Sequence, residues 1–371
     1  ARNQRVKAIM SIVSTKASMQ PSKKTKQMTD KIKVNGVILV DKPQGMTSQQ
    51  VVSKVKYLFK SPKHDSKKAG HTGTLDPMAT GLLPICLGEA TKFSHYQLDA
   101  DKSYQATILL GSQTDTGDAD GQIVAEKLIP QFDAVGLEKI AQQFLGPQQQ
   151  IPPMYSALKK DGKKLYEYAR AGIEIDRPAR DIVIKAINLT VIDAKQIQLT
   201  VTCSKGTYVR VLAEDIAKML GTLGHLTALR RIQVGDFHID AAISLADLEA
   251  LALEDRQAHL LPVDACINLE AELILTAEQC ARVQMGQRLN VIEQLNDDLQ
   301  CYISAVIEQQ PSHDENNVIQ QNGDDSEGNS EALLPYEIPA DIRLINEQGQ
   351  FIGLGALSLN GRLQPKKLIQ L

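Results

Sequence analysis

The segment from residue 70 to residue 84 reads GHTGTLDPMATGLLP and holds one carboxylate, Asp76, among three glycines and two prolines. Pro77 restricts Asp76 to extended backbone dihedrals, and the glycines let the backbone pass close to a ligand. A carboxylate held this rigidly can act as a nucleophile, a general base or a metal ligand. A surface turn is the alternative, and for an isolated Leu-Asp-Pro sequence it would be the better interpretation.

Several side chains elsewhere in the chain could work together with this carboxylate. Arg210 is a natural counter-ion for a carboxylate that must stay ionised. Tyr104 and Tyr208 could stack on a nucleic-acid base, and His71 and Lys42 stand in similarly unusual segments. Each has a structural alternative, because Tyr104 could be a core residue of a strand and His71 could cap a turn.

An acidic turn, SQTDTGDADGQIV, partly matches a calcium-binding loop. With Thr116 at the first position, Asp118, Asp120 and Gly121 fit the pattern. The first ligand is then a threonine, and the twelfth position is Lys127 instead of a bidentate glutamate. We therefore interpret the segment as a solvated hairpin turn.

The net charge of −3 conceals two oppositely charged segments. Residues 1–35 hold nine Lys and Arg against one Asp, whereas residues 308–332 hold seven Asp and Glu and no Lys or Arg. Both segments are polar and lack a sustained apolar period, which predicts that most of each is disordered. Because the remaining chain is not basic overall, a polyanionic ligand would require a locally basic face.

Cysteine usage and hydropathy indicate the compartment. The five cysteines are scattered without a C-x-x-C pair, which is typical of reduced thiols in a cytoplasmic protein. No His or Cys cluster has the spacing of zinc ligands. No apolar run approaches the roughly 20 residues that span a bilayer, and the first residues lack the apolar stretch of a signal peptide. We therefore expect a cytoplasmic protein without a membrane segment.

Apolar periodicity predicts intermixed strands and helices between residues 36 and 262. GVILVDKP indicates a buried strand that ends at Pro43. Thr47 and Gln50 then have capping-box spacing at the start of a helix. The apolar stripe of this helix consists of Val51, Val52, Val55, Leu58 and Phe59.

Further along, QIQLTVTC alternates its apolar residues as one strand face does. The helix that follows is predicted to turn Leu212, Ile216 and Met219 inward and to end at Gly221. Without a strict βαβ repeat or a G-x-G-x-x-G motif, a mixed or antiparallel α+β sheet is favoured over a dinucleotide-binding fold. After residue 262, short strands joined by Gln-Gly and Asn-Gly turns predict a small β-barrel.

Six ordered motifs between residue 36 and about residue 235 resemble the TruB family of tRNA pseudouridine synthases. They are GVILVDKPQGMTS, AGHTGTLDPMATGLLPICLGEATKF, DKSYQATILLGSQTDTGDADG, PPMYSALKKDGKKLYEYARAGIEIDRPAR, CSKGTYVRVLAEDI and GHLTALRR. The resemblance implies an α+β protein with the pseudouridine synthase fold, in which helices flank a mixed or antiparallel central sheet. The C-terminal strands resemble, more loosely, the family's small PUA-like β-barrel.

The resemblance also divides the chain. A basic disordered extension, residues 1–35, precedes a catalytic domain at residues 36–262. A PUA-like RNA-binding domain follows at residues 263–371, interrupted by an acidic disordered insertion at about residues 308–332. The extension and the insertion depart from the compact family pattern, and the resemblance implies no function for either.

The activity that the resemblance implies is isomerisation of uridine to pseudouridine at position 55 in the T-loop of tRNA. The reaction moves the attachment of uracil from N1 to C5 without net redox change or hydrolysis, so no cofactor and no metal are expected. The enzyme must flip its target base out of the folded loop. The implied partner is the T-arm of tRNA, bound by a cytoplasmic monomer that needs no obligate protein partner.

Matching the family motifs residue by residue assigns the central roles. Asp76 would be the nucleophile and would attack either the base or the ribose C1′, a choice that the sequence leaves open. Tyr104 would stack on the base and is a candidate for removal of the C5 proton. Arg210 would form an ion pair with Asp76 and keep it deprotonated.

Four further residues receive supporting roles from the same resemblance. Tyr208 would line the pocket, and Leu229 would close its far wall. His71 would fill the space that the extruded base leaves in the T-loop, and Lys42 would support the GHTGTLD loop. Leu229 and Lys42 keep ordinary structural roles as equal alternatives.

Three rival functions remain open at this point. The chain could be an RNA chaperone that refolds tRNA on the same surface, or a synthase that modifies other structured RNAs within a protein complex, as dyskerin-type relatives do. It could also be a β-barrel interaction module with an inert first domain. An intact pair of Asp76 and Arg210 favours catalysis over the first, with which catalysis is compatible. The segments GEATKF and KLYEYARAGIE and a self-contained C-terminal unit favour action without a complex, and the complete set of motifs argues against the third.

Overall fold

The computed structural model describes residues 31–309 and 334–370. The helices, numbered in chain order, are α1 (Ser48–Leu58), α2 (His95–Leu98), α3 (Ala134–Phe144), α4 (Leu165–Arg170), α5 (Val209–Leu220), α6 (Leu245–Ala250), α7 (Leu253–Ala258), α8 (Ala277–Gln284) and α9 (Asp297–Glu308). Short 3₁₀ helices lie at Gly88–Phe93, Ile239–Ala241, Ile292–Gln294 and Pro335–Glu337. Most of the predicted basic extension and of the predicted acidic insertion lies outside the described residues.

The strands are numbered in the same way. They are β1 (Ile32–Lys33), β2 (Gly36–Lys42), β3 (His64–Asp65), β4 (Ala69–His71), β5 (Thr80–Leu87), β6 (Lys102–Leu110), β7 (Ser112–Thr114), β8 (Ile123–Glu126), β9 (Gly146–Gln150), β10 (Lys159–Lys160), β11 (Lys163–Lys164), β12 (Arg180–Val191), β13 (Gln196–Cys203), β14 (Gly224–Val234), β15 (Phe237–His238), β16 (Ile243–Ser244), β17 (Glu272–Leu275), β18 (Leu289–Asn290), β19 (Ala340–Asn346), β20 (Phe351–Leu357) and β21 (Arg362–Leu368).

One large sheet carries the first part of the chain. Its strands follow the order β16-β2-β5-β14-β6-β13-β12-β9, with β4 paired to β5 and β15 paired to β14. The pairs β5–β14 and β16–β2 are parallel, and the other pairs in this sheet are antiparallel. The prediction of a mixed or antiparallel sheet with flanking helices is therefore confirmed, and the sheet is mixed with mainly antiparallel pairs.

Helices α1, α3 and α5 pack their apolar sides against one face of this sheet and form a common core with it. Helix α1 begins as the sequence predicts, because the Thr47 hydroxyl accepts from the Gln50 N–H and the Gln50 side chain accepts from the Thr47 N–H. All five residues of its predicted apolar stripe are buried. The strand before it ends at Lys42, directly ahead of Pro43.

Helix α5 agrees with its prediction except at one residue. Leu212 and Ile216 are buried, and Gly221 ends the helix in the left-handed conformation with φ of 95°. The inward placement of Met219 is wrong, since this side chain is 47% exposed. The buried stripe continues through Leu220, which packs partly buried against the core one residue later.

A second sheet has the order β17-β19-β20-β21-β18 and a core of its own. The Gln-Gly and Asn-Gly turns that the sequence indicates place Gly349 and Gly361 at φ of 75° and 81°, a region that favours glycine. The sheet curls as a half-barrel and agrees with the predicted PUA-like form. It contacts the first part of the chain through Phe93 and Phe351, whose rings pack edge to face at 5.4 Å.

Candidate active site

The backbone around Asp76 is fixed by its neighbours in the fold. The residue lies in the loop between β4 and β5. The hydroxyl of Ser48, at the start of α1, donates to the Leu75 carbonyl at 2.9 Å and accepts from the Leu75 N–H at 2.8 Å. The Asp76 carbonyl accepts from Ala79 at 3.0 Å, and the Pro77 carbonyl accepts from Gly45 at 2.7 Å. The carboxylate is therefore presented from a loop with few free backbone groups.

Arg210 reaches this carboxylate from the first turn of α5. Its Nη2 lies 3.1 Å from Oδ2 of Asp76. The same guanidinium group donates to the carbonyls of Thr116 at 2.8 Å and Tyr155 at 2.7 Å. Because Arg210 is only 6% exposed, these contacts fix the cation in the orientation that faces Asp76.

A second carboxylate, which the sequence analysis treats as solvated, belongs to the same cluster. Asp118 is 5% exposed, and its Oδ2 lies 3.9 Å from Nε of Arg210. Its Oδ1 accepts from the Thr116 hydroxyl at 2.6 Å and from the Asp120 N–H at 3.1 Å. The hairpin itself is present as β7 and β8, but its interpretation as solvated is wrong at Asp118 because the turn folds back over α5.

A pocket of about 300 Å³ opens beside the ion pair. Its lining contains five of the seven candidate residues, namely Asp76, Tyr104, Tyr208, Arg210 and Leu229. The remaining lining residues are Thr74, Leu75, Ser156, Ala157, Leu158, Thr207 and Val209. The pocket thus combines one ion pair with aromatic and apolar walls, which suits a flat polar ring.

The environment of Asp76 acts on its ionisation in both directions. Burial raises the pKa of the carboxyl group above the ordinary value of 3.8, and Arg210 opposes this increase. Asp118 raises the pKa further, while Lys42 lowers it. The side chain keeps 37% of its surface open toward the pocket, so the carboxylate can still meet a ligand. Arg210 therefore offsets, but does not abolish, the effect of burial.

Tyr104 lies on β6 with its side chain directed into the common core, where it is 8% exposed. Burial raises the pKa of its hydroxyl above 10, and the positive charge of Arg231 opposes that increase. The hydroxyl is consequently protonated at neutral pH. On the neighbouring strand β14, Leu229 pairs with Ala106 of β6 and is likewise 8% exposed.

Tyr208 directly precedes α5, and its backbone is held by Gln150. The Tyr208 N–H donates to Oε1 of Gln150 at 2.8 Å, and Nε2 of Gln150 donates to the Tyr208 carbonyl at 3.2 Å. This exchange joins the edge strand β9 to the start of the helix that carries Arg210. Burial raises the pKa of the Tyr208 hydroxyl, so it too is uncharged at neutral pH.

Lys42 does not line the pocket but supports the loops that build it. Its fully buried side chain donates to the carbonyls of Met46 at 2.7 Å, Pro43 at 2.9 Å and Pro77 at 3.4 Å. Burial lowers the pKa of Lys42 from 10.5 to about 8; Asp76 opposes this change and Arg231 adds to it. The cation joins the loop after β2 to the residue that follows Asp76.

His71 also lies outside the pocket, at the end of β4. Its Nδ1 accepts from the Gly73 N–H at 3.2 Å. Burial, and to a smaller extent Arg231, lowers the pKa of the imidazole below 6.5, so the ring is neutral at pH 7. The ring is half-buried and stands on the segment that leads to Asp76.

Arg231 is a functional candidate that the sequence analysis does not single out. It is 1% exposed and donates to the carbonyls of Leu82 at 2.8 Å and Gly73 at 3.0 Å. Arg231 therefore holds the loop between β4 and β5, which carries Gly73 and Asp76. In the sequence, Arg231 could have been found from the pair of consecutive arginines within one strand. Side chains of a strand point alternately to its two faces, so one of the two arginines must point into the core. The other, Arg230, forms a bidentate pair with Asp41 at 2.8 and 3.0 Å.

Within residues 31–309 and 334–370, no group of three or more His, Cys, Asp or Glu is arranged to hold a metal ion. No helix in these two ranges is both long and apolar enough to cross a membrane.

The mixed sheet, with the pair of Asp76 and Arg210 beside Tyr104 in one pocket, agrees with the class that the sequence motifs indicate, the pseudouridine synthases. Family models agree with this class. "TruB family pseudouridylate synthase (N terminal domain)" matches residues 61–209, and "tRNA pseudouridylate synthase B C-terminal domain" matches residues 210–268. "Pseudouridine synthase II TruB, C-terminal" matches residues 334–369.

Curated relatives match over nearly the whole length. The chain is 77% identical over 356 residues to tRNA pseudouridine synthase B of Psychrobacter cryohalolentis, covering 96% of this chain and 99% of the relative. It is 72% identical over 378 residues to the protein of the same name from Psychrobacter arcticus, with coverage of 96% and 99%. The chain belongs to the TruB family of pseudouridylate synthases.

Solved structures show the same fold at low sequence identity. The structure titled "Structure of H/ACA RNP bound to a substrate RNA containing 2'-deoxyuridine" matches with a TM-score of 0.58 at 19% identity, over 91% of this chain and 85% of that chain. "Crystal Structure of a Cbf5-Nop10-Gar1 Complex" matches with a TM-score of 0.56 at 20% identity, over 90% and 84%. At this identity the likeness concerns the fold alone.

Proposed function

We propose that this chain isomerises uridine to pseudouridine at position 55 in the T-loop of tRNA. The observation that carries the proposal is the contact of 3.1 Å between Arg210 and Asp76 at the pocket. The pocket offers a nucleophile, aromatic walls and space for one flipped base. Relatives that share at least 72% of the sequence are named tRNA pseudouridine synthase B.

Asp76 is the nucleophile in this proposal. Its carboxylate adds either to the uracil ring or to the ribose C1′, and the bond between N1 and C1′ breaks with its electron pair remaining on the base. The uracil then rotates and bonds through C5 to C1′. If the carboxylate had attacked C1′, this bond displaces it; if it had added to the ring, it leaves when the C5 proton is removed and the ring double bond re-forms. The C5 proton leaves, and N1 gains a proton, so atoms and charge balance without a redox partner. Arg210 keeps the carboxylate ionised before attack and after release.

Tyr104 stacks on the uracil ring and takes part in removing the C5 proton. Its raised pKa argues against a resting phenolate, so the hydroxyl begins the cycle protonated. Tyr208 and Leu229 form the walls that keep the base in the plane set by Tyr104. His71 fills the space in the T-loop from which the base was extruded, and Lys42 holds the loops around Asp76.

The two parts of the chain have different functions in this proposal. Residues 36–262 form the catalytic domain and residues 263–371 a PUA-like RNA-binding domain, a division that the separate hydrophobic cores support. The basic extension at residues 1–35 and the acidic insertion at about residues 308–332 are accessory to turnover. The enzyme acts in the cytoplasm as a monomer without an obligate protein partner, since one chain supplies every group of the pocket.

Replacement of Asp76 by asparagine tests the proposal. Asparagine keeps the shape of the side chain, but its neutral amide is a poor nucleophile. Single-turnover formation of pseudouridine should fall by on the order of 10⁴ or more. The measurement is tritium release from C5-labelled uridine in tRNA, with filter binding of the same RNA. Binding should stay within a few-fold of the wild type.

Asp120→Asn is the matched control, because Asp120 is an exposed carboxylate of the β7–β8 turn. It should release tritium at the wild-type rate. An Asp76→Asn protein with an appreciable fraction of wild-type tritium release would make Asp76 a structural residue and contradict the proposal. A wild-type protein that refolds tRNA without forming pseudouridine would instead favour the chaperone function.

A further inference from the structure

A cluster of lysines surrounds the C-terminal end of α1, away from the pocket. Eight lysines belong to it, and we call them the lysine cluster: Lys31, Lys33, Lys54, Lys56, Lys60, Lys63, Lys67 and Lys68. All are exposed except Lys54 and Lys56, which are half-buried. Tyr57 lies among them with 74% of its surface exposed. Clustered lysines are the electrostatic signature of a nucleic-acid surface, and an exposed aromatic ring among them can add a stacking contact.

The local fold gathers these cations into one surface. Strand β1 pairs with β3, which places Lys33 opposite Asp65. The Lys31 ammonium group donates to the Ser61 carbonyl at 3.3 Å, and the Lys56 ammonium group donates to the Lys67 carbonyl at 2.9 Å. The lysines of the N-terminal strand, the helix and the following loop are therefore neighbours in space.

Close ion pairs are few in the lysine cluster, although Lys33 acts electrostatically on Glu89. In the described part of the chain, none of its six exposed lysines lies within 4.0 Å of a carboxylate. Lys54 pairs with Glu249 at 2.6 Å. The adjacent helix α7 brings Glu254 and Asp255, but also Arg256, whose guanidinium donates to the Leu58 carbonyl at 2.6 Å. A protein of net charge −3 thus carries a locally basic face.

The lengths of α1 and β5 indicate how far the lysine cluster lies from Asp76. Ser48, which holds Leu75 beside Asp76, begins α1, and a helix of this length separates it from Leu58 by ~15 Å. Strand β5 runs from Thr80, near the pocket, to Leu87, beside which the Lys68 carbonyl accepts from Gly88. Its length is roughly 23 Å. Helix α1 packs on the same sheet face as α5, which carries Arg210.

We infer that the lysine cluster binds the sugar-phosphate backbone of the same tRNA whose uridine enters the pocket, beyond the T-loop itself. This inference rests on the proposed function. With a target base held at Asp76, a polyanion that extends roughly 15–25 Å along the outside of α1 meets the exposed ammonium groups. Phosphate contacts of this kind position the RNA and supply affinity without reading its sequence.

Removal of lysine charges tests the inference, because it should change how tRNA affinity depends on salt concentration. Each phosphate contact contributes roughly 0.7–0.9 to the slope of log affinity against log salt concentration. The variant Lys60→Gln, Lys63→Gln, Lys67→Gln should therefore bind tRNA more weakly and lose about 2–3 from that slope. Filter binding of tRNA at a series of salt concentrations measures both quantities, and thermal unfolding checks that the variant is folded.

The matched control is Lys127→Gln, Lys139→Gln, Lys195→Gln, which removes the same charge from exposed lysines elsewhere. The control should keep the wild-type slope. If both variants lost the same amount of slope, the net charge of the protein alone would explain the weaker tRNA binding, and the inference would be overturned. An unchanged slope in the cluster variant would also overturn it and leave the surface for a partner other than RNA. Pseudouridine formation by the wild type in the same tRNA keeps either failure distinct from a failure of the proposed function.

Discussion

The carboxylate of Asp118 lies 3.9 Å from Nε of Arg210, the residue that also contacts Asp76. The guanidinium group of Arg210 therefore interacts with two carboxylates. Asp118 is the more buried of the two and has further hydrogen-bond donors in the Thr116 hydroxyl and the Asp120 N–H. Asp76 keeps an open side toward the pocket, so it is the acid that can leave its partner and react.

Substitution of Asp118 by asparagine should shift the pH dependence of the reaction. Asp118 raises the pKa of Asp76, so removal of its charge lowers that pKa. Activity that requires ionised Asp76 is lost as pH falls through the pKa in the folded protein. The acid limb of the single-turnover rate should therefore move to lower pH in the variant. A stopped-time assay of pseudouridine formation in acidic buffers measures the midpoint.

The exposed neighbour Asp120 supplies the comparison, because Asp120→Asn removes the same charge outside the site. Its acid limb should coincide with that of the wild type. Movement of the Asp118→Asn limb to higher pH would mean that the variant has displaced Arg210 from Asp76. The carbonyls of Thr116 and Tyr155 should prevent that displacement, because they hold the guanidinium group independently.

Ser48→Ala should weaken both stability and turnover. The hydroxyl makes two hydrogen bonds to the buried Leu75, and alanine leaves the Leu75 N–H and carbonyl unpaired. The expected loss in the free energy of unfolding is about 1–3 kcal/mol. The rate should fall as well, because Leu75 fixes the backbone of Asp76. Ser53→Ala on the exposed side of the same helix is the control and should lose no stability, because alanine favours a helix more than serine does; equal losses in both variants would contradict the role of the two Ser48 hydrogen bonds.

Lys42→Met should remove a rise of stability with pH. The pKa of Lys42 falls from 10.5 in the unfolded chain to about 8 in the folded protein. Between these two pH values the unfolded chain binds more protons, so the free energy of unfolding increases with pH. The increase is roughly 3–4 kcal/mol. Denaturant titrations of wild type and variant near both pH values measure it, and an equal rise in the two proteins would contradict the assignment.

Local signals in the sequence predicted the elements that position the site. The capping box of Thr47 and Gln50 involves residues within one turn of helix, so its hydrogen bonds follow from the sequence itself. Gly221 ends α5 for an equally local reason. The prediction that Met219 points inward was wrong because the spacing of apolar residues alone does not fix the centre of the buried stripe. Leu220 packs against the core instead.

The contacts within the site depend on the tertiary fold and escaped sequence reasoning at particular residues. Asp118 looks like a turn residue because nothing nearby in the chain shows that α5 will cover it. Arg231 is hidden for a related reason, since its partners are backbone carbonyls of Leu82 and Gly73, which have no side-chain signature. Ser48 was overlooked as an ordinary first residue of a helix.

Tyr104→Phe separates the two roles proposed for the aromatic ring beside Asp76. Phenylalanine keeps the stacking face, which for a base is worth ~1–3 kcal/mol, but lacks the hydroxyl. The variant should therefore bind tRNA almost as the wild type does. If the hydroxyl takes part in removal of the C5 proton, turnover should be slow. Filter binding and tritium release from C5-labelled uridine in tRNA measure the two effects on one preparation.

The hydroxyl of Tyr104 is a buried group that Arg231 affects electrostatically, so its loss also changes the interior of the protein. Thermal unfolding of the variant shows whether the fold tolerates the change. The control for tyrosine replacement in general is Tyr336→Phe. Tyr336 is half-exposed and lies in the 3₁₀ helix Pro335–Glu337, so the substitution should leave tRNA binding and tritium release unchanged. Wild-type turnover in the Tyr104→Phe protein would reduce Tyr104 to stacking alone. The C5 proton would then have to leave through another group that touches the pocket, with the regenerated carboxylate of Asp76 as the nearest base.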